Sequence, residues 1–303
     1  MNPHRLKAYI LLLIVTLIWG AASVVIKLTL EGIDPLPFLS YRFLISALIS
    51  LFYLKQIKNI FSEPKGVIFS VLAYSVLSTT IALGFLFLGL DVTTVLNLSL
   101  ITLAAPLLTE FAGVYFLSEK LTKREKVGSL IAFFGTILTV VEPVIQEGIN
   151  MGSLYGNFMI LLYLLADVSS VIILKKLLRN KIDPIGLANF SFVVGFITIL
   201  PFTLFQMKGL IPLLESVKNI SLFTHAGVWY MAVFSGTVAY ALRNKAQKTI
   251  EVGEAALFAY LTSLASVPLA VVILKEKITL LYVIGAFIIL AGVVIAEYKK
   301  KGK

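Results

Sequence analysis

The sequence predicts an all-α membrane protein of ten transmembrane helices, arranged as two inverted five-helix repeats with both termini cytoplasmic. Three observations carry this: apolar stretches of membrane-crossing length, basic residues that alternate in the segments between them, and a motif that occurs twice. Of the 303 residues, 59% are hydrophobic and only 14% charged, against roughly a quarter charged in a soluble chain. The mean hydropathy is +0.97. The apolar residues recur in stretches of about 20, which at about 1.5 Å per residue cross about 30 Å of hydrocarbon. Inside that layer each stretch satisfies its own backbone only as a helix.

The predicted spans cover residues 8–30, 36–54, 66–90, 93–117, 126–144, 152–174, 184–206, 226–249, 253–274 and 279–297. Turn chemistry separates them: Asp34-Pro35, Glu63-Pro64-Lys65, Asp91, the run from Ser118 to Lys126, Glu147-Gly148, and Lys181-Ile182-Asp183-Pro184. Arg5 and Lys7, an apolar run and then Ala21-Ala22-Ser23 imitate a cleavable leader. The run is too long for one and opens a pattern that recurs, so it reads as a retained helix.

Orientation follows from the basic residues, which favour the cytoplasmic side. With the N-terminus inside, the inner segments hold most of the 26 Lys and Arg, including Lys55, Lys58, Lys120, Lys123, Arg124, Lys175, Lys176, Arg179, Arg243 and the tail Lys299 to Lys303. The outer segments hold only Lys208, Lys218, Lys275 and Lys277, and Lys27 and Arg42 lie inside spans. The tail reads as an anchor to the anionic inner leaflet. The formal charge of +10 does not point to nucleic acid, because the cations sit between apolar spans and form no soluble basic face. The chain has no Cys, and its two His, His4 and His225, fall outside the predicted spans. No metal site, cofactor or catalytic triad is expected.

Ser118-Glu119-Lys120-Leu121-Thr122 recurs as Lys275-Glu276-Lys277-Ile278-Thr279. The same shift aligns Gly128 with Gly285 and Gly135 with Gly292. A slightly shorter one aligns Ile33-Asp34-Pro35 with Ile182-Asp183-Pro184. The chain therefore divides into repeats over residues 1–147 and 148–303, the second ending in the basic tail. Five spans per repeat is odd, so the second copy enters the membrane from the opposite face, a common basis for alternating access.

At these residues the chain resembles the drug/metabolite transporter superfamily in its two-repeat EamA form. Trp19-Gly20-Ala21-Ala22-Ser23 through Lys27, Pro37-Phe38 with Arg42-Phe43, and Pro106 followed by Glu119-Lys120-Leu121-Thr122 and Gly128 carry the likeness. The resemblance implies a central cavity lined mainly by the first four helices of each repeat, with the fifth nearer the periphery. It also implies export.

Intramembrane charge is costly and belongs at a cavity or a partner. Asp167 and Glu110 read either as functional carboxylates, binding a cation or carrying a proton, or as structural ion pairs. Arg42 and Arg243 read as cavity contacts or as side chains that snorkel. Trp19, Ser23 and Lys27 share one face of the first span, and Tyr163 and Asp167 one face of the sixth. Tyr240 and Tyr260 add aromatic walls, and Asn97 a polar contact. Pro106 removes a backbone donor and is expected to kink the fourth span. The expected activity is secondary transport of small metabolites, amino acids or similar amphiphiles, with proton or counter-substrate coupling. The expected partners are that solute and the lipid bilayer, with the oligomeric state open. A channel and an intramembrane acid–base enzyme are the rival readings. The sequence has no phosphate-binding Gly-Lys-Ser/Thr loop for an ATPase.

Overall fold

The computed structural model describes residues 3–93, 98, 101–102, 104–146, 154–274 and 280–297. Among them there is no strand, and the helices are α1 (Pro3–Leu30), α2 (Pro35–Ile60, tightened at Leu51–Tyr53), α3 (Lys65–Val92), α4 (Ala105–Leu117), α5 (Lys123–Gln146) and α6 (Leu154–Arg179). Then follow α7 (Pro184–Gln206), α8 (Leu210–Lys218), α9 (Leu222–Ala232, Val233–Val238 and Ala239–Gln247 end to end), α10 (Val252–Leu274) and α11 (Leu280–Glu297). By length and composition, α1, α2, α3, α6 and α7 can each cross a membrane. Large apolar side chains cover the outside: Phe205 is 89% exposed and Phe52 86%. In water that surface would be untenable, and in lipid it costs nothing.

The helix boundaries obey local chemistry. Asp183 caps α7 by accepting the Gly186 N–H at 2.6 Å, and Pro184 stands where a missing donor is harmless. Thr122 and Glu125 form a reciprocal capping box ahead of α5, at 2.6 and 3.2 Å. Ser221 caps α9 by accepting from Thr224 N at 3.1 Å. Three boundaries differ from expectation. The helix does not break at Asp91, which belongs to α3; the chain turns extended at Thr93. The segment before α9, expected as loop, holds the helix α8, entered through Lys208 (φ 58°) and Gly209 (φ 135°), the second a conformation that favours glycine. And α9 begins early enough to include His225, whose Nδ1 lies 3.1 Å from the Tyr41 hydroxyl. Glu147-Gly148, the motif Lys275 to Thr279 and the tail Lys299 to Lys303 lie outside the described residues.

Packing pairs helices across the chain. The main contacts include α1 with α9 and α10, α6 with α3 and α4, α2 with α7, α4 with α10, and α5 with α11. Exchanging α1 with α6, α2 with α7, α3 with α9, α4 with α10 and α5 with α11 turns this set into itself. The α5–α11 contact is antiparallel and rests on glycines. A Cβ on Gly128 would meet Gly292 O at 2.5 Å, and one on Gly135 would meet Gly285 O at 3.0 Å. The two backbones touch because nothing larger intervenes, which is how helices gain dispersion energy where lipid supplies no hydrophobic drive.

Gly292→Leu is expected to wedge α5 from α11 and cost about 2 kcal/mol or more, read as a lower thermal midpoint in detergent. Gly66→Ala, whose Cβ would meet nothing within 4 Å, should leave the midpoint unchanged.

Candidate functional site

A cavity of about 280 Å³ opens between the helices, and a smaller one of about 90 Å³ adjoins it. The larger is lined from α1 by Trp19, Ser23 and Ile26, from α2 by Arg42, and from α3 by Leu83, Leu86, Phe87 and Leu90. Pro106 of α4, Tyr163 and Asp167 of α6, Tyr240 and Arg243 of α9, and Tyr260 of α10 complete it. The smaller continues towards Leu12, Gln247 and Val252. Both share Trp19, Pro106, Asp167 and Arg243, so these residues stand where the two hollows meet.

The junction is built from charge and ring faces. Arg243 Nη1 lies 3.7 Å from Asp167 Oδ1, and its guanidinium sits over the Trp19 ring at 5.2 Å from the centroid. Tyr240 meets Trp19 edge-on at 5.4 Å. Trp19 Nε1 donates to the Ser235 carbonyl at 3.0 Å. That carbonyl lies within a π turn of α9 at Val233–Val238. A second π turn, Val76–Leu83, interrupts α3. The two begin at the same shift that aligns Glu119 with Glu276. Extra turns of this kind are frequent at functional sites, and neither was visible in the sequence.

The ends of the two hollows are held by lysines. Lys27 of α1 donates to Leu90 O at 3.1 Å and Thr93 O at 3.4 Å, where α3 ends. Lys175 of α6 donates to Gln247 O at 2.7 Å and to Ile250 O, where α9 ends. The acceptors correspond at the repeat shift. The two lysines correspond within one residue of the shift that aligns Ile33 with Ile182. They lie at opposite ends of the bundle, because α10 beyond Ile250 packs on the start of α1: Glu254 bonds Arg5 and Tyr9. At the Lys175 end Glu119 accepts from Val252 N at 3.1 Å and Gly253 N at 3.4 Å, a carboxylate on the N-terminus of α10. Arg179 approaches Glu119 at 3.6 Å and donates to Leu117 O at 2.9 Å. Burial and the carboxylates of Glu119, Glu125 and Glu254 push the neighbouring Glu251 carboxyl above its ordinary range.

Of the residues named from sequence, Trp19, Ser23, Arg42, Tyr163, Asp167, Tyr240, Arg243, Tyr260 and Pro106 all line the larger cavity. Lys27 is outside its lining and is spent on the α3 end. Glu110 is also outside it: the side chain is buried, its Cγ 3.3 Å from where a Cβ on Gly253 would stand. Asn97 lies outside the described residues. Ile101 and Thr102 are helical, Ala104 is a turn residue, and Pro106 follows just after it, in the expected fourth span. The proline occupies the first turn of α4, where a missing N–H is tolerated. No described residue of α7 lines the cavity. Its polar side chains turn to α2 and α3 instead, Asn189 to Ser50 and Ser191 to Ser75.

The profile of the EamA-like transporter family matches residues 6–141 and 154–298. An uncharacterized transporter of Bacillus subtilis (strain 168), YetK, is 26% identical over 299 residues, covering 98% of this chain and 88% of its own. A probable amino-acid metabolite efflux pump of Escherichia coli (strain K12) is 24% identical over 294 residues, covering 95% and 94%. A solved crystal structure superposes with a TM-score of 0.72 at 14% identity over 96% of both chains, a likeness of fold.

The Asp167–Arg243 pair is expected to be energetically coupled. A cycle of Asp167→Asn, Arg243→Gln and the double variant should give about 1 kcal/mol in denaturation, modest because both side chains are partly open to the cavity. A coupling of zero would mean that the 3.7 Å approach is incidental.

Proposed function

The chain belongs to the EamA-like transporter family, and from that premise we propose that it moves amino acids or similar small amphiphiles across the cell membrane by alternating access. It does so as a secondary exporter, driven by a proton gradient or by counter-substrate. The two halves, residues 1–147 and 148–303, are inverted repeats of five spans each, and both termini are cytoplasmic.

One observation carries the reading. The lysine clamps on Leu90/Thr93 and Gln247/Ile250 close opposite ends of a shared hollow and correspond to each other across the repeat. A carrier needs two gates that open in turn around one site. Related halves supply them without separate invention. The antiparallel glycine contact of α5 and α11 supports the inversion, since it maps onto itself when the halves are exchanged. The cavity supports a small amphiphile: aromatic, aliphatic and other apolar side chains form most of the wall, and the charged groups are few. The efflux-pump relative supports amino-acid cargo and outward movement.

In this orientation Lys27 latches the outer end and Lys175 the inner. The chain is free of Cys, so a Ser23→Cys probe in the cavity reports alone. Lys27→Gln is expected to raise its labelling by an impermeant maleimide added outside, and Lys175→Gln to lower it, each about threefold or more, corresponding to a shift of roughly 0.7 kcal/mol between the two states. Equal labelling in both variants would remove the case for paired gates. Exchange of radiolabelled amino acid in proteoliposomes should fall in both variants.

A further inference from the structure

We propose that Arg42 is the anchor for a carboxylate, and that the cargo is therefore a monocarboxylic acid with an apolar body. This rests on the carrier reading for its purpose, but its evidence is separate. Arg42 is 1% exposed, the largest side chain among the fully buried ones, and it lines the cavity. Its Nε and Nη1 have no hydrogen-bond partner among the described residues. A guanidinium carries five donors in a fixed fork and does not shed its proton, so leaving two nitrogens idle in a buried setting is a severe penalty.

The surroundings offset only part of it. The rings of Phe43 and Phe87 lie 5.5 Å from the guanidinium carbon, which gives quadrupole attraction without occupying an N–H in the plane of the fork. The one carboxylate in the described lining, Asp167, is engaged with Arg243. The described cavity wall thus carries two cations and one anion, an excess of one positive charge. A monoanion such as 4-methylvalerate cancels that excess, a zwitterionic amino acid offers the same carboxylate while leaving the excess in place, and a phosphate dianion overshoots it. The forked donors match a carboxylate, the geometry for which arginine is preferred to lysine. In the same cavity Leu83, Leu86, Phe87 and Met231 offer an apolar wall to whatever the carboxylate carries. Tyr260 also lines this cavity.

The arrangement is one-sided. At the shift relating Ile33 to Ile182, the position of Arg42 is taken by Ser191, whose hydroxyl bonds Ser75. The scaffold supplies two such positions, and only one carries the charge.

The test is binding to the full-length protein in nanodiscs, read as thermal stabilisation and by calorimetry. The probes are L-phenylalanine, L-leucine and 4-methylvalerate, each beside its amide, with phenyl phosphate as the dianion, all up to about 10 mM. At least one acid should bind about tenfold or more tighter than its amide. Arg42→Gln should bring that ratio near one. Without ligand, Arg42→Gln should also be at least as stable as the parent, because an uncompensated buried charge has been removed. Arg42→Lys should retain some acid preference. The proposal is overturned if no acid binds, if acid and amide bind alike, if phenyl phosphate binds best, or if Arg42→Gln keeps the acid preference. The carrier reading fails differently: acids bind with the expected preference, yet proteoliposomes exchange none of them. Transport that ignores the carboxylate leaves the carrier and removes the anchor.

Discussion

A backbone carbonyl released inside a bilayer has no water to turn to, and the architecture of this transporter follows from that constraint. At several places where a described helix ends or loosens within the bundle, a donor from another helix answers. Lys27 reaches the end of α3, and Lys175 the end of α9. Trp19 bonds a carbonyl inside the π turn of α9, and Ser46 donates to Ala232 O at its edge, 3.1 Å away. Arg179 closes on Leu117 O at the end of α4. These donors connect helices that are far apart in the chain, so satisfying the backbone and assembling the bundle are one process. The polar residues of the spans are in this sense mostly occupied, and the few that are not become conspicuous.

The parts legible in the sequence were those written locally or repeated. Asp183-Pro184 marks the start of α7 because an acidic cap and a proline at the first turn are a local instruction. Lengths of apolar sequence gave the membrane-crossing helices, and the twin glycines of α5 and α11 were readable as close-packing positions. Glu119 stood out in a recurring motif, but its task, receiving the amide groups at the start of α10, depends on chain more than a hundred residues away. Lys27 shares a helix face with Trp19 and Ser23 and so read as a cavity residue. A side chain of that length reaches past its own face, and it ends at Leu90 O. Glu110 is the opposite case: a carboxylate in a span must be buried against something, and its side chain lies beside Gly253 and not in the described cavity lining. The π turns left no local mark. In α9, carbonyls in and beside the π turn are met from other helices, Ser235 O by Trp19 and Ala232 O by Ser46, contacts that no local pattern announces.

The scaffold is close to symmetric and its chemistry is not. Exchanging the halves preserves the helix contacts, the two lysine clamps and the two π turns. It does not preserve Arg42, which is exchanged for a serine, nor the pairing of Asp167 and Arg243 over Trp19. Repetition accounts for the frame the two halves share, while divergence of single residues accounts for the differences in the cavity wall.

The π turns of α3 and α9 have a mechanical consequence. Each stores one residue more than regular winding needs. If that surplus passed along the helix, the segment beyond it would advance by about 1.5 Å and swivel by about 100° while the ladder of backbone bonds stayed whole. Slack of this kind lets a rod change shape without being cut. It sits in the two helices whose far ends the lysines grip.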